Sequence, residues 1–146
     1  MKKYGNDKLL TFYKSIKGDI QLEYVEAGIS AGFPSPADDF RNKRISLDEE
    51  LVNDKRTTYY ARVNGESMIG AGLDHDDLLV IDKKIPPKDG KIAVCYVDGE
   101  FTVKRLKITS ECVYLMPANE SYKPIKITED KQLLVWGIVT YVIKKV

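Results

Sequence analysis

Lys91-Ile92-Ala93-Val94-Cys95-Tyr96-Val97-Asp98-Gly99-Glu100-Phe101-Thr102-Val103-Lys104-Arg105-Leu106-Lys107 consists of two strand-like runs separated by two turn residues. Both runs are rich in β-branched and aromatic residues, which suit a pleated, half-buried surface. Asp98-Gly99 is the kind of pair that a type I′ turn selects, because both central positions need positive φ. The stretch therefore reads as a β-hairpin. In its second arm, strict alternation puts Thr102, Lys104 and Leu106 on one face and Phe101, Val103 and Arg105 on the other.

The pattern extends outward from this hairpin. Thr57 to Val63, Leu78 to Ile81 and Leu134 to Ile143 have the same strand-like composition. Ser46-Leu47-Asp48-Glu49 matches a capping box, with Ser46 as N-cap and Glu49 three residues on, and predicts a single short helix through about Val52. Upstream, Lys8 to Ile16 reads as a modest helix and Ile20 to Tyr24 alternates. Neither is long enough to bury a face alone. Ser30-Ala31-Gly32-Phe33-Pro34-Ser35-Pro36 is a run of small and turn-forming residues, expected to be exposed and extended. The expected organisation is a flexible N-terminal arm over residues 1–31, then a compact, mostly β domain of twisted antiparallel strands over residues 32–146.

At 146 residues, 43% hydrophobic and 31% charged, the chain has the make-up of one soluble globular domain. No stretch approaches the roughly 18 apolar residues needed to span a bilayer, so a cytoplasmic location without membrane contact is expected. A net charge of +1 argues against a dedicated DNA-binding domain. Lys83-Lys84 and Lys144-Lys145 read as solvated strand ends. Cys95 and Cys112 lack CxxC spacing and sit in apolar runs, which suggests reduced thiols in or near a core. With one histidine, His75, and two cysteines, neither a metal site nor a cofactor is expected.

A Ser-His-Asp triad would have to use His75, and Gly65-Glu66-Ser67-Met68-Ile69-Gly70 is not the G-x-S-x-G elbow. A serine can instead be activated by a neutral lysine, provided that desolvation lowers the ammonium pKa. Lys104, mid-strand between apolar neighbours, fits that demand. On alternation alone it reads rather as an edge lysine that discourages strand pairing. Ser67, between two glycines, likewise reads as a turn residue.

Four segments alter that balance: Ala31-Gly32-Phe33-Pro34-Ser35-Pro36-Ala37-Asp38-Asp39, Gly65-Glu66-Ser67-Met68, Asp98-Gly99-Glu100-Phe101-Thr102-Val103-Lys104-Arg105-Leu106 and Val135-Trp136-Gly137-Ile138-Val139. In this order and spacing they resemble UmuD-type members of the LexA/UmuD self-cleaving serine peptidases, from about residue 31 to the end. The resemblance implies that Ser67 is the nucleophile, Lys104 the general base and Ala31–Gly32 the scissile bond. The amides near Ser67 and Met68 are candidates for an oxyanion hole. It further implies a homodimer, cleavage promoted by a RecA–single-stranded-DNA filament, and a trimmed form that joins a UmuC-type Y-family polymerase in error-prone lesion bypass during the SOS response.

The LexA-like helix-turn-helix has no counterpart in thirty residues without paired helices. A signal-peptidase-like enzyme shares the serine–lysine dyad, but no membrane anchor is read here. The alternative reading is a non-proteolytic dimeric β binding module with the same fold. Where the family commonly shows Asp-Gly-Asp after the serine loop, this chain has His75-Asp76-Asp77. Asp tolerates a left-handed turn better than most residues, and His75 reads as a surface residue there.

Overall fold

The computed structural model describes residues 10–16, 18, 20, 22–25, 31–32 and 42–146. They fall into two units. The first joins the residues up to Ser15 to Asp54–Val146, and the second is Ile16–Asn53.

In the first unit β1 (Leu10–Lys14), β4 (Thr58–Val63), β5 (Leu78–Asp82), β6 (Ile92–Val97), β7 (Glu100–Ile108), β8 (Val113–Met116), β9 (Ile125–Ile127) and β10 (Leu133–Ile143) form one sheet. Its spatial order is β1-β4-β5-β10-β6-β7-β8-β9, with every neighbouring pair antiparallel. In the second unit β2 (Leu22–Val25) pairs antiparallel with β3 (Asn42–Ile45), followed by the one-turn helix α1 (Leu47–Leu51). The mostly β, antiparallel expectation with one short helix holds.

The β6–β7 hairpin turns at Asp98 and Gly99, with φ of 46° and 87°. This is the double left-handed geometry that the pair was read to supply. Alternation then distributes the two arms over both faces of the sheet. Val94 and Val103 pack with Phe12, Ala61, Leu79 and Ile81 on one face. Ala93, Cys95 and Leu106 pack with Leu115 and Ile138 on the other. On β10 the register slips between Val135 and Gly137, leaving Trp136 as the extra residue of a bulge. The bulge reverses the parity of the strand: Val135 and Ile138 serve one core face, Trp136 and Val139 the other. Gly137 is required at that point, since a Cβ there would lie 2.6 Å from Ile81 Cγ2.

Two sequence expectations need correction. Leu10–Lys14 is a strand, not part of a helix over Lys8 to Ile16. Its five-residue ladder with β4 and the burial of Phe12 (1% exposed) outweigh a weak helical pattern. Ser46 does precede α1, but its hydroxyl bonds the Asp48 carboxylate and no capping-box bond forms. Asp48 also accepts from the Glu49 N–H at 3.0 Å, so it takes the place expected for the serine. The two lysine pairs are exposed just past the ends of β5 and β10, as expected, and two of the four make contacts as well. Lys144 bridges Asp74 and Asp77, and Lys83 lies 4.8 Å over the Trp136 ring. Apart from Ala31 and Gly32, both exposed, the Ser30–Pro36 connection lies outside the described residues, as do Lys8 and Leu9.

Candidate active site

β4 delivers the chain to Gly65, whose φ of 120° is open to glycine. Ser67 and Met68 follow as a turn, and Met68 is buried (2% exposed) in the core beside Leu73. A short 3₁₀ turn over Ile69–Ala71 closes on Gly72, at φ 81°. Met68 O accepts from the N–H groups of Ala71 (3.0 Å) and Leu73 (3.2 Å). The serine is thus half-exposed on a loop whose next side chain is anchored in the core.

Mid-strand on β7, Lys104 is buried, 6% exposed. Its Nζ lies 2.9 Å from Ser67 Oγ, 2.7 Å from Thr102 Oγ1 and 3.1 Å from Val103 O. Burial holds the ammonium pKa below its ordinary value, with Cys95 acting in the other direction. Cys95, opposite Thr102 on β6, has its own thiol pushed up to about 12 by burial, so it stays neutral at physiological pH. No carboxylate among the described residues makes an ion pair with Lys104. A neutral amine has two N–H donors and one lone pair. Once neutral, Lys104 can donate one hydrogen to Val103 O and the other to Thr102 Oγ1, which would leave its lone pair for the Ser67 hydroxyl proton. That arrangement can make an alkoxide-like nucleophile without a histidine.

Ser67 and Lys104 face a cleft of about 440 Å³. Its walls mix apolar side chains, such as Leu73, Phe101 and Ile125, with Glu66, Glu100 and Lys131 at the polar positions. A cleft of this size and mixture suits an extended peptide.

Residues 23–140 match the Peptidase S24-like family. The chain belongs to that family. Protein MucA of Escherichia coli is 38% identical over 114 residues, covering 77% of each chain. Protein ImpA of Salmonella typhimurium is 36% identical over 115 residues, 79% of this chain and 78% of the relative. The LexA repressor of Alcanivorax borkumensis is 36% identical over 116 residues, which cover 80% of this chain and 56% of the repressor. Serine peptidase chemistry is what membership of the Peptidase S24-like family carries.

In this S24-type chain the expected residues are distributed as follows. Ser67 and Lys104 are brought together from 37 positions apart. Ala31 and Gly32 belong to the other unit, each exposed in a bend. His75 is exposed, and its Nδ1 accepts from the Gly65 N–H at 3.3 Å, so it braces the start of the serine loop. Among the described residues no group of His, Cys, Asp or Glu is arranged to hold a metal ion, and no helix is long and apolar enough to cross a membrane.

Sequence reading missed two features. Thr102 was placed on the face of Lys104 but given no role; alternation at i, i+2 was the available signal. The segment Pro117-Ala118-Asn119, which grips the serine loop, carried no local signal at all. Asp76 takes φ 75°, a left-handed position that favours glycine. Forcing an L-residue there costs about 1–2 kcal/mol, less for Asp, while glycine adds about 0.4–1 kcal/mol of unfolded-chain entropy. Asp76→Gly is therefore expected to stabilise the protein by up to about 1 kcal/mol, seen as a higher Tm. A lower Tm would show that the exposed Arg62–Asp76 contact at 3.9 Å outweighs the backbone term.

Proposed function

We propose that this protein is a self-cleaving serine peptidase of the UmuD type, with Ser67 as nucleophile and Lys104 as general base. The observation that carries the reading is a buried lysine amine, short of counter-charge, 2.9 Å from a serine hydroxyl at the edge of a peptide-sized cleft. Neutral Lys104 takes the Ser67 proton as Oγ attacks the Ala31 carbonyl carbon. The tetrahedral oxyanion is met by backbone N–H groups at Ser67 and Met68. Lys104 then returns its proton to the Gly32 nitrogen, the Ala31–Gly32 bond breaks, and water hydrolyses the Ala31 ester on Ser67. Small residues at the bond let the backbone approach to near-attack distance, about 3 Å.

On this reading residues 1–31 are the arm removed and residues 32–146 the working domain, in the cytoplasm. The trimmed form, a homodimer, serves as accessory subunit to a UmuC-type Y-family polymerase in SOS mutagenesis, after a RecA–single-stranded-DNA filament has promoted the cut. The resemblance and the relatives MucA and ImpA support this biological setting. The near-neutral charge supports the expectation that DNA itself is not a sequence-specific ligand.

Intact mass spectrometry after alkaline incubation, and after neutral incubation with filament, tests the reading. The expected product begins Gly32-Phe33-Pro34. A different new N-terminus would move the cut, and no product under either condition would favour the non-proteolytic binding module.

A further inference from the structure

The serine loop is gripped from outside by the segment after β8. Ala118 N donates to Ser67 O at 2.8 Å, and Gly70 N donates to Ala118 O at 2.7 Å. The approach is close enough to demand glycine, because a Cβ on Gly70 would lie 2.6 Å from Ala118 O. Next to it, Asn119 Nδ2 donates to Glu66 O at 2.9 Å, across 53 positions of sequence. Asn119 Oδ1 accepts from Ser121 N at 3.0 Å, and Asn119 O accepts from Tyr122 N at 3.1 Å. The amide orientation follows from its partners: a carbonyl on one side needs the NH₂ end, and an N–H on the other needs the oxygen end. Asn119 therefore ties two things at once, the backbone one residue before Ser67 and the turn that brings Tyr122 to the cleft wall.

The consequence lies in peptide geometry. No peptide bond among the described residues is cis, and a trans peptide points its C=O and N–H in opposite directions. The bond from Ala118 to Ser67 O thus sets where the Met68 N–H is aimed, and the bond from Asn119 to Glu66 O does the same for the Ser67 N–H. These are the two donors assigned to the oxyanion hole above. We propose that Asn119 is a positioning residue for self-cleavage, holding the Glu66–Met68 backbone so that the Ser67 and Met68 N–H groups meet the developing oxyanion. The proposal rests on the dyad reading of Ser67 and Lys104.

Asn119→Asp is the sharpest variant, since it keeps the acceptor for Ser121 N–H and exchanges the donor to Glu66 O for a repelling oxygen. Losing one oxyanion donor costs about 10²–10³ in rate, and a misplaced donor costs less. Self-cleavage of the full chain is expected to slow by about 10–100-fold at every pH from about 7 to 10. The pH midpoint is read in the uncharged variant Asn119→Ser, where it should stay in place because no charge is added beside Lys104. Asn119→Ser, with an acceptor for the same turn but no reach to Glu66, should behave likewise. Rates are compared at a temperature where thermal unfolding shows each variant fully folded.

Wild-type rates in both variants overturn the proposal. So does a loss that tracks only the unfolded fraction, or, in Asn119→Ser, a shifted midpoint at an unchanged plateau. Ser67→Ala, run alongside, separates the two levels. If it still cleaves, the dyad reading falls and takes this proposal with it; if it is inactive while both Asn119 variants cleave normally, only the positioning role falls.

Discussion

Lys104→Ala and Ser67→Ala are each expected to reduce self-cleavage at neutral pH by about 10³-fold or more, and the double variant should be no worse than either single one. On the proposed mechanism both residues serve one step, the transfer of the Ser67 proton as Oγ attacks, so removing either should disable the same event. In the intact protein the rate should climb with pH through the depressed pKa of Lys104 and level off above it, because only the neutral amine has a lone pair to offer. Stability follows the same titration. Between the folded-state pKa and the ordinary value of 10.5 the unfolded chain binds more protons, so stability rises with pH across that window. Below the window the whole penalty of a buried ammonium is present; above 10.5 it vanishes. Lys104→Met should flatten this slope while abolishing cleavage. Time courses by gel or mass, with parallel urea unfolding at several pH values, check both halves. A pH-independent rate between about 7 and 10, or a Lys104→Ala protein that cleaves near the wild-type rate, would overturn the lysine-base assignment.

Phe12→Ala should destabilise the protein by about 3–5 kcal/mol, the usual loss for a fully buried aromatic ring. The ring is 1% exposed and meets Phe101 at 4.9 Å and Trp136 at 4.7 Å between centroids. Trp136 is the single tryptophan of the chain, so its emission reports directly on this contact. Denaturant unfolding gives the free energy, and a red-shifted native spectrum is expected in the variant. The same reporter follows the proposed cut. After Ala31–Gly32 is broken, the described contacts that keep β1 on the sheet are its ladder to β4, the Phe12 packing and the Ser15–Tyr60 hydrogen bond. Departure of residues 1–31 should then reproduce the Phe12→Ala spectrum. An unchanged Trp136 emission in the isolated 32–146 product would show that Phe12 contributes little to that environment. A loss below about 1 kcal/mol in Phe12→Ala would say the same of stability.

The hairpin at residues 91–107 was legible without coordinates because its determinants are local. Asp98-Gly99 selects the turn, and alternation assigns Thr102 and Lys104 to one face wherever the strand is placed. The strand at 133–143 was legible in extent, but not in its bulge at Trp136, which depends on the close approach of Gly137 to Ile81. Leu10–Lys14 was misread as helix because a five-residue segment has little local preference; its state is decided by the β4 edge and by a pocket for Phe12. Ser67 and Lys104 could be nominated from their motifs.

Their 2.9 Å separation, the burial that lowers the lysine pKa and the third bond to Thr102 belong to the fold. So does the grip of Ala118 and Asn119 on the serine loop, which joins positions about fifty residues apart. The amino-acid sequence alone determined which residues are chemically able to act and which strands carry them, since alternation and turn chemistry operate over a few neighbours. Only tertiary structure decided which of those residues meet and how dry their meeting place is, because distance and desolvation arise when remote strands close over the same cleft.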